Sequence, residues 1–150
     1  MAEQHFDLVV LGGGSAGYAA AIRATQLGKS AVVVEKDKLG GTCLHRGCVP
    51  TKAMLHAAEV ADAVEDGERV GVQLQLQSVD AEKLGAFRDG IVASKFKGLQ
   101  GLLKAKKIEV VNGEGKLIDK NKVAVGDTVL VGEHIVLATG SYSRSIPGLD

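Results

Sequence analysis

Phe6-Asp7-Leu8-Val9-Val10-Leu11-Gly12-Gly13-Gly14-Ser15-Ala16-Gly17 decides how the rest of the chain is read. Phe6 to Leu11 is a short apolar run suited to a buried strand of a parallel sheet. It leads directly into Gly12-x-Gly14-x-x-Gly17, and the pattern from Ser15 to Leu27 is helical and stops at Gly28. A second buried strand follows, Ser30 to Glu35 (SAVVVE). The unit is β-α-β, which closes right-handed. A glycine-rich turn alone is only a tight turn. With a strand before it, a helix after it and Glu35 ending the next strand, the pattern predicts a dinucleotide site. Gly12 and Gly14 let backbone approach a pyrophosphate at the helix N-terminus, while Ala21 and Gly28 allow close helix–strand packing. Glu35 is placed to accept from a ribose hydroxyl, which argues against a 2′-phosphate there.

Just downstream, Gly40-Gly41-Thr42-Cys43-Leu44-His45-Arg46-Gly47-Cys48-Val49-Pro50-Thr51-Lys52 holds both cysteines of the chain, five positions apart. Residues five apart in a regular helix have Cα atoms about 8.6 Å apart, beyond the roughly 7 Å that a disulfide spans. If the two bond, the segment between them leaves helical geometry, and Gly47 permits that. Pro50 suits the first turn of a helix, and Val49 before it is biased away from αR. The reading is a redox dithiol at or just before a helix N-terminus, where the dipole lowers a thiol pKa. Lys52 falls one turn after Cys48 on the same helical face. The alternatives are a structural disulfide and half of a zinc site. His5, His45, His56 and His134 show no recognisable ligand spacing, so no metal site is assigned. One short loop also adds little to a chain able to build its own core.

The composition restricts the function classes. The length, 150 residues with 45% apolar, is that of one domain with a real core. Eighteen basic and eighteen acidic residues cancel, so neither nucleic acid nor an anionic membrane is indicated as a partner. Aromatics are scarce, with no Trp, which disfavours a base-stacking surface. The polar start, Met1-Ala2-Glu3-Gln4-His5, does not read as a signal peptide, and no apolar run reaches the length of a membrane span. A close dithiol without an export signal points to the cytoplasm and to catalytic use.

Farther along, a helix is predicted from Val49 to about Glu65, with Ala53, Leu55, Ala57, Ala58, Val60, Ala61 and Val64 as a small-residue packing face, ended by Asp66-Gly67-Glu68. Val72 to Gln77 alternates with period two, as in a short half-exposed strand. Ser78 or Asp80 caps a long helix from about Ala81 to Lys106, with Leu84, Phe87, Ile91, Phe96, Leu99, Leu102 and Leu103 as its apolar positions. Its lysines, Lys95 to Lys107, read as a solvated face. Ile108 to Val111 resumes the parallel sheet. Gly115 to Ile118, Lys122 to Val125 and Thr128 to Val131 form a small antiparallel meander, and His134 to Ser141 is a last buried strand.

With those residues in place, the chain resembles the flavin-dependent pyridine nucleotide–disulfide oxidoreductases over its whole length. Three motifs carry the likeness in the family's order: Gly12, Gly14 and Gly17 with Glu35; the segment from Gly40 to Lys52; and the strand end Ala138-Thr139-Gly140. The segment around the cysteines is the specific one. Between them the family usually has Leu-Asn-Val-Gly, whereas this chain has Leu44-His45-Arg46-Gly47, a variation also met among its lipoamide-type members.

The resemblance implies an α/β fold: a Rossmann-like FAD-binding domain, a parallel sheet with helices on one face and a small antiparallel meander. It implies FAD at the first glycine motif, with Ser15, Ala16, Lys36, Gly41 and Thr42 among the cofactor contacts and Glu35 at the adenosine ribose. Cys43 resembles the interchange thiol that meets substrate, Cys48 the thiol beside the flavin, and Lys52 the lysine near the flavin ring. Gly115 resembles a backbone contact to the adenine side, with Ala138, Thr139, Gly140 and Ser141 near the cofactor.

The activity implied is oxidation of protein-bound dihydrolipoamide with NAD as co-substrate, in a homodimer serving lipoyl domains of 2-oxo-acid dehydrogenase complexes. Family reductases of glutathione-, mycothione- or mercuric-type are the alternative, and a non-catalytic nucleotide-binding fragment is another. Family members are longer, with an NAD-binding domain and a dimerisation domain that supplies a His–Glu acid–base pair. Residues 1–150 are thus expected to be the N-terminal part of an FAD-binding domain, inactive in isolation, with 142–150 a linker toward an NAD-binding domain. None of the four histidines is cast as the catalytic base.

Overall fold

A computed structural model describes residues 2–148. Its elements are β1 (Ala2–Leu11), α1 (Ser15–Gln26), β2 (Ala31–Glu35), α2 (Gly41–His45), α3 (Cys48–Arg69), α4 (Ala81–Ala105), β3 (Glu109–Asn112), β4 (Lys116–Asp119), β5 (Lys122–Val125) and β6 (Thr128–Leu137). They divide into two compact units. One comprises the chain through Gly41 together with the stretch from Leu102 onward; the other is Thr42–Gly101.

The first unit is one six-stranded sheet in the order β3-β2-β1-β6-β5-β4. β1 pairs in parallel with β2 and β6, and β2 with β3. β4, β5 and β6 are joined antiparallel. The register sets Val9 and Leu11 of β1 beside Val32 and Val34 of β2, while Val10 faces the other way with Val33. A side chain at Gly17 of α1 would meet Val10, so α1 covers the Val10 face. Val9, Val32 and Val34 form the opposite core with Val123 and Val125 of β5 and Leu130 of β6. Each of these side chains is under 9% exposed, and each such burial contributes about 1.5–3 kcal/mol. An α/β sheet with parallel strands and a small antiparallel meander is the arrangement expected from the sequence, and the meander continues the same sheet.

Several expectations are corrected. Thr128–Val131 and His134–Ser141 are not two strands; β6 is continuous from Thr128 to Leu137 and only partly buried. Its first half serves the antiparallel meander and its whole length pairs with β1, so one strand unites both sheet types. That pairing also extends β1 back to Ala2, whose partner is Thr128. Val72 to Gln77 forms no strand; Leu74 and Leu76 are 53% and 52% exposed. Alternation without a partner strand carries no ladder hydrogen bonds.

α3 runs past Asp66-Gly67-Glu68 to Arg69, because a single interior glycine costs only about 1 kcal/mol. The chain reverses later, at Gly71 with φ +78°. On α3 only Ala53, Ala57, Ala61 and Val64 of the expected face are buried or half-buried, at steps of four, four and three. Leu55, Ala58 and Val60 are exposed. On α4 the half-buried stripe keeps Leu84, Ile91, Phe96 and Leu99 and ends in buried Leu103, whereas Phe87 and Leu102 are exposed. Asp80 is the cap: its carboxylate accepts from the amides of Glu82 (3.1 Å) and Lys83 (3.0 Å). α4 ends at Ala105 through Lys107 at φ +56°, with the Ile108 amide donating to the Leu103 carbonyl at 3.0 Å. Residues 142–148 are exposed and outside any strand or helix; Leu149 and Asp150 of the expected linker lie outside the described residues.

The middle of β1 is tied to the turn before β2 by a network the sequence did not reveal. The Asp7 carboxylate accepts from the Ser30 hydroxyl (2.6 Å), the Ser30 amide (2.7 Å) and the Lys29 ammonium (2.9 Å). The Ser30 hydroxyl first, and Lys29 with it, hold the Asp7 carboxyl well below the usual carboxylate range. The folded form is thus favoured wherever an unfolded Asp would be ionised, above about pH 4, and that contribution fades as acid protonates Asp7 in the fold. Asp7→Asn should lower the melting temperature at pH 7 and flatten its decline on acidification. Parallel declines of melting temperature for the two proteins between neutral and acid pH would refute a stabilising role for this network.

Candidate functional site

In the first unit the glycine turn sits between the C-terminal end of β1 and the start of α1. The Gly12 amide donates to the Val34 carbonyl at 2.8 Å, and the Ala138 amide to the Leu11 carbonyl at 2.8 Å, so β2 and the end of β6 flank the turn. Gly12 has φ +106°, and a Cβ there would strike the Ala138 carbonyl and come 3.1 Å from the Thr139 Cα. Its glycine is therefore required by the chain's own backbone, a reason different from the one expected. The first and third motifs meet at this point.

Gly17 is buried, and its Cβ would strike the Gly12 carbonyl, so α1 can lie close to the strand only with glycine there. Gly14 is the exception. It caps α1 in extended geometry, and a Cβ on it would have nothing within 4 Å. α1 has no acidic residue in its first turn, and its ladder begins with the Tyr18 amide donating to the Gly14 carbonyl at 3.0 Å. The amides of Ser15, Ala16 and Gly17 precede that ladder and are oriented as an anion site.

Glu35 ends β2, and its Oε2 accepts from the Gly13 amide at 2.7 Å while Oε1 accepts from the Asp37 amide at 2.8 Å. A carboxylate has about four acceptor positions, so two backbone bonds leave capacity for a ribose diol. The sequence reading missed this first duty of Glu35, the clasp on Gly13. It also missed that the Gly40 amide donates to the Gly13 carbonyl at 2.8 Å and that Gly41, at φ +58°, would press a Cβ to 2.9 Å from the Gly14 Cα. Lys36 pairs at 3.8 Å with Glu114, both exposed. Gly115 lies over the core, where a Cβ would meet Leu11, Val34 and Val123. Thr139, Gly140 and Ser141 are exposed, with Gly140 at φ +75°. An open cradle at Gly14, unladdered amides, no first-turn acid and a carboxylate with spare acceptors together fit the pyrophosphate and ribose of a dinucleotide.

Glu35→Ala should therefore lower stability even without ligand, by about 1–3 kcal/mol, because it strips the partner from the Gly13 amide. Glu35→Gln, which keeps one carbonyl acceptor, should cost less. Thermal unfolding of both variants checks this; equal melting temperatures for wild type and Glu35→Ala would remove the clasp.

In the second unit, Cys43 and Cys48 form a disulfide with Cα atoms 4.7 Å apart. That separation is within disulfide reach, and it arises as expected: α2 stops at His45, the chain turns through Arg46 and Gly47, and α3 begins at Cys48. Gly47 caps α3 at φ −130° and ψ −107°, with the Thr51 amide donating to its carbonyl at 3.0 Å. Pro50 is in the first turn, as its missing N–H requires. Cys48 is thus the first helical residue, with Lys52 exposed one turn on along the same face. Cys48 is exposed and Cys43 half-buried; Thr42 is exposed. Among the described residues no group of His, Cys, Asp and Glu could hold a metal ion. His45 is in edge-to-face contact with Phe96, ring centroids 5.1 Å apart.

A parallel β-α-β unit with a dinucleotide-type glycine turn, followed along the chain by a disulfide closed at a helix start, is the layout of a nucleotide-dependent disulfide oxidoreductase. The chain belongs to the pyridine nucleotide-disulphide oxidoreductase family, which residues 6–150 match. Members of this family use FAD and NAD. The chain is 39% identical to a dihydrolipoyl dehydrogenase of Bacillus subtilis (strain 168), over 97% of this chain and 33% of that protein. It is 42% identical to a leghemoglobin reductase of Vigna unguiculata, over 95% of this chain and 29% of that protein. With the mitochondrial dihydrolipoyl dehydrogenase 1 of Arabidopsis thaliana the identity is 41%, over 95% and 30%. The chain spans about a third of the length of these relatives.

Proposed function

We propose that this chain carries the FAD-binding turn and the redox disulfide of an enzyme that oxidises protein-bound dihydrolipoamide, with NAD as co-substrate. The observation that carries the reading is the Cys43–Cys48 disulfide, closed across five residues with Cys48 opening a 22-residue helix. Names of relatives support the lipoyl substrate, since two of the three relatives named above are dihydrolipoyl dehydrogenases. A lipoyl domain of a 2-oxo-acid dehydrogenase complex is then the partner, a homodimer the assembly and the cytoplasm the compartment. Among the described residues no helix is long and apolar enough to cross a membrane.

The chain's own residues would act as follows. A thiolate of the dihydrolipoyl group attacks the Cys43 Sγ, the Cys43–Cys48 bond breaks, and Cys48 leaves as a thiolate. A helix start and Lys52 one turn away both favour that thiolate, which makes Cys48 the better leaving group. The second lipoyl thiolate then attacks the lipoyl sulfur of the mixed disulfide and releases Cys43. Lipoyl disulfide departs, and its two electrons stay on the cysteine pair. FAD, when bound, supplies the two-electron acceptor between this pair and NAD. Ser15, Ala16 and Gly17 amides would hold its pyrophosphate and Glu35 its ribose, with Lys36, Gly41, Thr42, Lys52, Gly115, Ala138, Thr139, Gly140 and Ser141 as further contacts.

The test is a direct comparison in the full-length flavoprotein: dihydrolipoamide with NAD against glutathione disulfide and NADPH. Turnover with dihydrolipoamide is expected. Turnover only with the glutathione pair would move the protein to the reductase branch of the family.

A further inference from the structure

We propose that His45 is a positioning residue for the Cys43–Cys48 couple, acting through its edge-to-face contact with Phe96 of α4. The inference rests on reading that couple as redox-active, but it concerns how the disulfide is held and not which substrate it meets.

α2 has five residues, far below the roughly 12–15 at which an isolated helix becomes marginally stable. Its orientation must come from what it packs against. His45 is its last residue, two positions after Cys43, and is half-buried. The rings of His45 and Phe96 lie at 72° with centroids 5.1 Å apart, the T-shaped arrangement that the aromatic quadrupole favours. Phe96 stands on the half-buried stripe of the 25-residue α4. Between the cysteines the chain turns through Arg46 and Gly47, with the Arg46 amide donating to the Thr42 carbonyl at 2.8 Å.

When the disulfide opens, the covalent tie between α2 and α3 is lost, while the ring contact, with buried Leu44 of α2 beside it, stays as a constraint on the Cys43 side. A contact that persists in the dithiol lowers the chain freedom given up when the bond closes again. Its effect is to favour the disulfide over the dithiol. His45 takes no proton and touches no substrate in this role.

The experiment measures the thiol–disulfide equilibrium of the purified protein in glutathione redox buffers, read by quenched alkylation and mass. In that exchange one glutathione thiolate opens the Cys43–Cys48 bond to a mixed disulfide. A second displaces the cysteine from it, so two glutathione thiols become glutathione disulfide and their electrons and protons pass to the cysteines. His45→Ala and Phe96→Ala should each shift the constant toward the dithiol by about 2- to 10-fold, or about 10–30 mV for a two-electron couple. The double variant should shift no further than the larger single one.

His45→Phe, which restores a ring, should return the constant to within about 2-fold of wild type. Phe96→Leu keeps apolar volume without the ring, so it should behave as Phe96→Ala does and carries the test if the alanine variant does not fold. Unchanged constants in the single variants, additive shifts in the double, or a wild-type constant in Phe96→Leu would each overturn the proposal. A wild-type disulfide that glutathione cannot open at any ratio would instead overturn the redox reading on which it rests. Lipoamide turnover is not read, so a different substrate leaves the result standing.

Discussion

Replacing either Cys43 or Cys48 by Ser in the FAD-loaded, full-length protein is expected to lower disulfide-dependent turnover by ~10³-fold or more, the scale of losing a covalent catalytic group. The two losses should nevertheless look different. Cys48 is the first residue of α3, so its sulfur lies at the positive end of the helix with Lys52 one turn on. Cys43 lies within five-residue α2, whose dipole is slight. In Cys43→Ser the remaining Cys48 should be a thiolate at neutral pH and give a long-wavelength absorbance with oxidised flavin. Cys48→Ser should lack that band at every pH, while Cys43 remains open to alkylation. The exposures pose a real contest, because Cys48 is the more exposed of the pair. If exposure rather than leaving-group chemistry chose the sulfur attacked, Cys48 would be the interchange thiol. A visible titration decides: the band in Cys48→Ser alone would reverse the roles, and its absence from both would remove the flavin contact.

The second large effect separates two glycines that look alike in the sequence. Gly17→Ala should cost about 3 kcal/mol or more, a drop of about 6–12 °C in melting temperature for a chain of this size. Its Cβ would strike the Gly12 carbonyl and lie 3.1 Å from Val10 Cγ1, and neither can withdraw. Gly12 is fixed by its amide on the Val34 carbonyl and by the Ala138–Thr139 backbone against it. Gly14→Ala should melt within about 3 °C of wild type, since its extended backbone suits alanine and its Cβ meets nothing in the chain. That variant should instead lose FAD, because the open space at Gly14 is where a pyrophosphate would approach. FAD retained by Gly14→Ala at wild-type affinity would show that the cradle is not used, and a wild-type melting temperature for Gly17→Ala would refute the packing argument.

Local patterning was enough to read the β-α-β unit and the three motifs, and to say that a bond between the cysteines would break the helix. Each of these is a local matter: apolar runs, glycines at fixed offsets, and a spacing of five that a helix cannot bridge. Local patterning narrowed the cap of α4 to Ser78 or Asp80, and the fold chose Asp80. Features that depend on partners distant in sequence became legible only in the fold. Val72 to Gln77 alternates like a strand and is none, because no neighbour offers it a ladder. Thr128 to Leu137 is one strand because β1 is long enough to pair with all of it, a fact that neither segment states alone. The sequence offers Glu35 as a candidate ribose acceptor, but its clasp on the Gly13 amide, 22 residues away, leaves no trace there. Likewise the need for glycine at position 12 came from Ala138, on the far side of the chain, because steric exclusion acts between atoms brought together by the fold and leaves no trace in local spacing.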